Sequence, residues 1–188
     1  MLTNSSAKYG LVSVLLHWSM ALAFIAMYAL GLWMVDLDYY DNWYHRAPEL
    51  HKSIGIILVG LMLLRLLWNR IQPCLDDLSD SILLPRIARV MHNGFYLLVL
   101  LMFISGYLIS TAKGKGIDVF ELFSIPALLA ENEQRGELAG DIHEILGHLF
   151  IALALLHAGA ALKHHFVDRD PTLVRMFGIV KTNQGDKP

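Results

Sequence analysis

Apolar residues run almost unbroken through four stretches of this chain, at roughly 11 to 35, 50 to 69, 89 to 111 and 141 to 165. At about 1.5 Å of rise per residue, a helix over each crosses a hydrocarbon layer of about 30 Å. A bilayer offers no water to the backbone, so each stretch must satisfy its own N–H and C=O groups as α-helix. The connections are short and polar. The pattern predicts an all-α membrane protein, a four-transmembrane-helix bundle in which residues 1–188 form a single domain embedded in the lipid bilayer. The third connection, 112–140, is the longest and contains IDVFELFSIPALLA. Phe120, Phe123, Leu128 and Leu129 are expected there either on a short amphipathic helix on the outer surface or across the mouth of a site. In the tail, PTLVRMFG opens with Pro171 in a favourable first-turn position and predicts a short interfacial helix.

Composition agrees with this class. Of 188 residues, 55% are hydrophobic and only 17% charged, with a mean hydropathy of +0.48, which excludes an ordinary soluble domain. The net charge of -2 gives no reason to expect nucleic acid as a partner. Cys74, the single cysteine, excludes an internal disulfide, and the absence of C-x-x-C-H excludes covalent haem attachment. The first apolar run lacks an A-x-A-like cleavage site and is read as a retained span.

Charge is segregated along the chain. Lys8, Arg65, Arg70, Arg86, Arg89, Lys163, Arg169, Arg175, Lys181 and Lys187 fall at the N-terminus, the second connection and the tail. The opposite side holds Arg46, Lys52, Lys113, Lys115 and Arg135 among many carboxylates, including Asp36, Asp38, Asp41, Glu131, Glu133 and Glu137. The positive-inside rule therefore places the N- and C-termini in the cytoplasm. Trp18 and Trp68 then lie at the inner interface and Trp33 and Trp43 at the outer one.

Candidate chemistry rests on the histidines, of which there are nine. His143 and His157 lie in one apolar segment, within about 40° of each other on one helical face and about 21 Å apart along the axis. One helix thus aims an imidazole towards each membrane surface, as a bundle with two haems stacked across the bilayer requires. With the orientation above, His17 shares the inner level with His157, and His51 shares the outer level with His143. The residues four positions beyond these histidines are Ala21, Gly55, Gly147 and Ala161, small enough to leave room on each ligand's own face.

The remaining histidines are read differently. His148 lies about 140° from His143 and about 180° from His157 and is expected to pack or hydrogen-bond elsewhere. His92, level with His17, is the rival ligand at the inner site or else a partner of a propionate. His164, in KHHF, is expected near propionates or lipid phosphates, and His45 in solvent. Zinc is disfavoured because its ligands must converge on one point.

LLHW at 15–18, PELHKSIG at 48–55, the His143 to His157 span and ALKHHFVDRDPTLVRM at 161–176 resemble the bacterial cytochrome b561 family. The resemblance implies an inner-membrane protein with two non-covalent b haems, their irons ligated by His17, His51, His143 and His157. It also implies electron exchange between the ubiquinone pool and a periplasmic partner, with Lys52, His92 and His164 as candidate propionate or quinone contacts. One branch of the family oxidises superoxide and reduces ubiquinone. The acidic outer surface here differs from the positive funnel that an anionic substrate needs, although Lys52, Lys113, Lys115 and Arg135 supply local positive charge. The expected function is transmembrane electron transfer, with superoxide as a candidate donor. The alternative is a membrane relay subunit passing electrons between quinone and a separate soluble redox protein. Two imidazoles on each iron leave no position open for oxygen.

Overall fold

The computed structural model describes residues 1–73, 75 and 83–179. Cys74, Lys181 and Lys187, which entered the redox and charge readings, lie outside the described residues. Four long helices follow one another: α1 (Leu11–Val35), α2 (Arg46–Ile71), α3 (Leu83–Ser110) and α4 (Glu133–Phe166). All four have the length and apolar composition to cross a membrane. α2 and α4 begin earlier than their apolar stretches because polar first turns extend them. Asn132 caps α4 by accepting a hydrogen bond from the Arg135 N–H at 2.8 Å, satisfying one of the free donors at that end.

Neighbouring helices pack in sequence order, with the α3–α4 and α1–α2 pairs closest. α1 and α4, which would close the ring, touch only sparsely. At mid-height Met20, Met62 and Val99 are buried with Phe24, Val59, Leu61, Tyr96 and Phe150 around them, an apolar layer seven residues from both His143 and His157 at Phe150. Most other large apolar side chains face outwards, including Leu15, Leu22, Ile25, Leu63 and Leu155, as lipid contact demands.

The N-terminal residues close one end. Asn4 Oδ1 accepts from the Gly10 N–H at 2.8 Å and from Ser13 Oγ at 2.7 Å, and the Trp68 indole donates to Ser13 Oγ at 3.0 Å. Gly10 has to be glycine, because a Cβ there would overlap the Thr3 carbonyl. The short helix α5 (Thr172–Met176) folds back to the same end. There Trp18 donates to the Met176 carbonyl at 3.0 Å and stacks on Phe177 at 4.8 Å between ring centres. Pro171 occupies the cap position before this helix, one residue earlier than expected.

The third connection corrects the sequence expectation. Its apolar residues form a two-stranded antiparallel hairpin, β1 (Ile117–Val119) with β2 (Phe123–Ile125), and not an amphipathic helix. Ile117 and Val119 alternate inwards, and buried Ser53 of α2 ties the hairpin down by accepting from the Phe120 N–H at 3.2 Å. Ser53 lies two positions beyond His51, so the hairpin lies over α2 beside the level of His51 and His143, called outer after the orientation expected from charge.

Candidate functional site

Each outer histidine leans on a glycine of the helix before its own. The Nδ1 and Cε1 edge of His51 lies against Gly31 of α1, and the same edge of His143 lies against Gly106 of α3. A Cβ on Gly31 would come within 3.4 Å of His51 Cε1, and one on Gly106 within 3.2 Å of His143 Cε1. The two imidazoles meet edge to face with ring centres 6.2 Å apart and planes inclined by 69°. Two imidazoles binding one metal from opposite sides place their centres about 6 Å apart, from two metal–nitrogen bonds of about 2 Å and roughly 1 Å from each nitrogen to its ring centre. The outer pair therefore has the separation that one iron requires.

Hydrogen bonding sets the tautomer of His143. Ser105 Oγ lies 2.9 Å from His143 Nδ1, and its single proton is directed to the Leu101 and Met102 carbonyls at 2.9 and 3.0 Å. With that proton given to a carbonyl, the serine oxygen accepts from Nδ1–H, the tautomer whose Nε2 lone pair is free for a metal. His51 Nδ1 has no partner among the described residues. Lys52 lines a cleft of about 490 Å³ at this end with Met34, Tyr44, His45, Pro48 and Glu49. His45, expected in solvent, is exposed and packs edge-on against Tyr39 and Tyr44.

The inner level brings three histidines together, not two. His92 and His157 have ring centres 5.5 Å apart, and Phe95 lies 5.7 Å from His157. His17 sits close enough to act electrostatically with both and receives a hydrogen bond at 2.9 Å from Arg65 Nη2. Small residues do follow each ligand by one turn, but Gly55 faces Met27, and Gly147 is covered by the Tyr28 ring and Met102. His148 behaves as expected of a non-ligand: Tyr28 Oη lies 2.7 Å from its Nδ1, and Glu144 lies 3.7 Å from its Nε2. His164 turns to Asp168 and Asp170, at 2.9 and 3.1 Å from its Nδ1. Among the described residues no three His, Cys, Asp or Glu side chains converge on a bare metal ion. The 6.2 Å between the His51 and His143 rings is compatible with a metal macrocycle between them.

Sequence reasoning missed Gly31, Gly106 and Ser105. It looked for space on each ligand's own helix, whereas the rings reach across to the neighbouring one. Matching the heights of adjacent helices is the signal that points to them.

Comparison with known proteins decides the family. The model of the prokaryotic cytochrome b561 family matches residues 8–178. The chain belongs to the prokaryotic cytochrome b561 family. It is 47% identical to cytochrome b561 homolog 2 of Escherichia coli K12 over 184 residues, covering 97% of this chain and 98% of that protein. Cytochrome b561 homolog 1 of the same organism is 28% identical over 180 residues, covering 90% and 96%. The probable superoxide oxidase CybB of Yersinia pestis is 29% identical over 171 residues, covering 90% and 95%. Membership implies b-type haem, transmembrane electron transfer and a multi-pass bacterial membrane protein.

Proposed function

We propose that the chain holds two b haems, one between His51 and His143 and one between His17 and His157, and carries electrons between ubiquinone and a donor at the periplasmic face of the inner membrane. The separation of the His51 and His143 rings, 6.2 Å, carries this reading, together with the second histidine group at the other end of α4. When bound, such six-coordinate haems supply one-electron outer-sphere transfer. The chain's own contribution is to fix the imidazoles. Ser105 holds the His143 tautomer, Gly31 and Gly106 let the rings lie against the backbone, and the apolar layer around Met20, Met62 and Val99 keeps water out of the middle of the bundle.

At the inner site two arguments favour His17 over His92 as the partner of His157. The His92–His157 separation of 5.5 Å is short for two rings on one metal, and α3 packs tightly on α4. The sparse contact between α1 and α4 leaves the room a macrocycle needs. Charge supports both termini in the cytoplasm: Lys8, Arg65 and Arg70 cluster at the Trp18 and Trp68 end, while Asp36, Asp38 and Asp41 lie at the Trp33 and Trp43 end.

Superoxide is the donor we infer, from the name of the Yersinia relative and from Lys52 in the outer cleft. Two superoxide anions each release one electron and become dioxygen, and ubiquinone takes up two electrons and two protons. A specific observation favours the relay reading as the alternative. Glu49 shares the cleft with Lys52, and Tyr39 and Tyr40 are 71% and 92% exposed beside the acidic loop, a surface suited to a docked basic protein. The test is purification without partners, haem quantitation, and assay of superoxide-dependent ubiquinone reduction over a range of ionic strength with Lys52→Glu as the variant. Two haems with a rate that falls with salt and with Lys52→Glu supports the enzyme. Two haems with no superoxide-dependent rate supports the relay.

A further inference from the structure

Arg65 is a cation inside the apolar length of α2, and no carboxylate lies within ion-pair distance of it among the described residues. Its neighbours are the His17 ring, bonded at 2.9 Å, and the phenols of Tyr9 and Tyr96, close enough to act on it electrostatically. A guanidinium offers five donors and no acceptor, and charge within a membrane span persists where it is paired. Among the described residues this cluster offers only neutral acceptors.

The bond to His17 also conflicts with the ligand role of that residue. Arginine only donates, so His17 Nδ1 must accept, and in the neutral ring the proton then sits on Nε2, where iron would bind. His143 is held the opposite way, with Nδ1 donating to Ser105 and Nε2 free. For His17 to bind iron through Nε2, the Arg65 guanidinium has to release Nδ1 and take another acceptor within the reach of its side chain.

We propose that this acceptor is a propionate carboxylate of the inner haem, so that Arg65 anchors and neutralises the cofactor at the level of His17 and His157. The inference rests on the two-haem reading above. A b haem bears two carboxylates, and the planar guanidinium fork matches a carboxylate with two parallel hydrogen bonds. The ion pair gives Arg65 a charged partner and frees His17 in one exchange of partners. Arg65 is then a positioning residue with an electrostatic effect, because a fixed positive charge beside the haem favours its reduced form.

The test is an optical redox titration of the holoprotein carrying Arg65→Gln, Arg65→Lys or Arg70→Gln, with His157→Ala marking which spectral component is the inner haem. In Arg65→Gln the inner component is expected to become at least tenfold harder to reduce, a fall of 59 mV for one electron, while the outer component stays in place. Arg65→Lys is expected to restore most of the shift, and Arg70→Gln, exposed one turn further on, to cause none. An unchanged or raised inner potential in Arg65→Gln overturns the proposal. If Arg65→Gln loses the inner haem, Arg65→Lys decides: retention with a near-normal potential supports a charge pair, and loss overturns it. A wild-type protein with a single haem instead overturns the two-haem reading itself.

Discussion

Gly106 of α3 forms the floor beneath the His143 ring of α4, with room for the imidazole and none to spare: an added Cβ would lie 3.2 Å from Cε1. Neither residue can change size without moving the other. Gly106→Val is expected to displace His143 from His51, at a packing cost of about 1–3 kcal/mol, and to lower haem content from two per chain towards one. Pyridine haemochrome quantitation checks this. Two haems in the valine variant would show that the ring does not depend on the glycine.

Replacement of single histidines sorts the sites. His51→Ala and His143→Ala are expected to remove the same spectral component, and His17→Ala and His157→Ala the other one. His92→Ala is expected to leave both low-spin signals in place. Loss of the inner component in His92→Ala, matching that in His157→Ala, would transfer the ligand role to His92.

Ser105 gives a subtler test. Without its oxygen the His143 Nδ1–H loses its acceptor, so the imidazole donates less electron density to iron. Ser105→Ala is expected to weaken retention of the outer haem by tenfold to a hundredfold and to raise its potential, with the inner component unmoved. Haem-transfer kinetics to an external acceptor and a redox titration measure the two effects separately.

Beyond the end of α4, a hydrogen bond from Lys163, aided by His164, holds the Asp168 carboxyl below the usual carboxylate range. A depressed carboxyl stabilises the fold above its ordinary pKa and ceases to do so as pH falls through the lowered value. The last turn of α4 is therefore expected to fray progressively as pH falls below the ordinary Asp value of about 3.9 and through the lowered one. Asp168→Asn is expected to give the same fraying at neutral pH. Amide exchange at residues 160–167 reads the change, and the exposed position of Asp168 keeps it local, with no shift in global melting.

The spans were legible because unbroken apolar length is a strong signal, and helical spacing set His143 and His157 on one face of α4 by arithmetic. The hairpin at 117–125 was not. Its turn sets Phe120 and Glu121 at φ of 50° and 58°, and neither residue type announces a left-handed turn as Asn or Gly does. IDVFELF reads equally well as one face of a helix. The polar first turns of α2 and α4 escaped because hydropathy detects the membrane and not the helix. Arg65 was counted only among the charges that set orientation, since a sequence shows that a cation lies near the end of a span but not that it touches His17.

The apolar layer at Phe150, with Phe24 and Phe95 at 4.9 and 5.3 Å from it, separates the two histidine levels by about two-thirds of the hydrocarbon thickness. An electron that passes between those levels therefore moves through most of the transmembrane field. Moving one charge across the whole membrane at 100 mV involves about 2.3 kcal/mol, so this passage involves about 1.5 kcal/mol. If electrons pass between those levels as proposed, the balance between oxidised and reduced ends of the bundle in an energised cell is set by membrane voltage as well as by chemistry, and the protein acts as a small electrical element in parallel with the insulating bilayer.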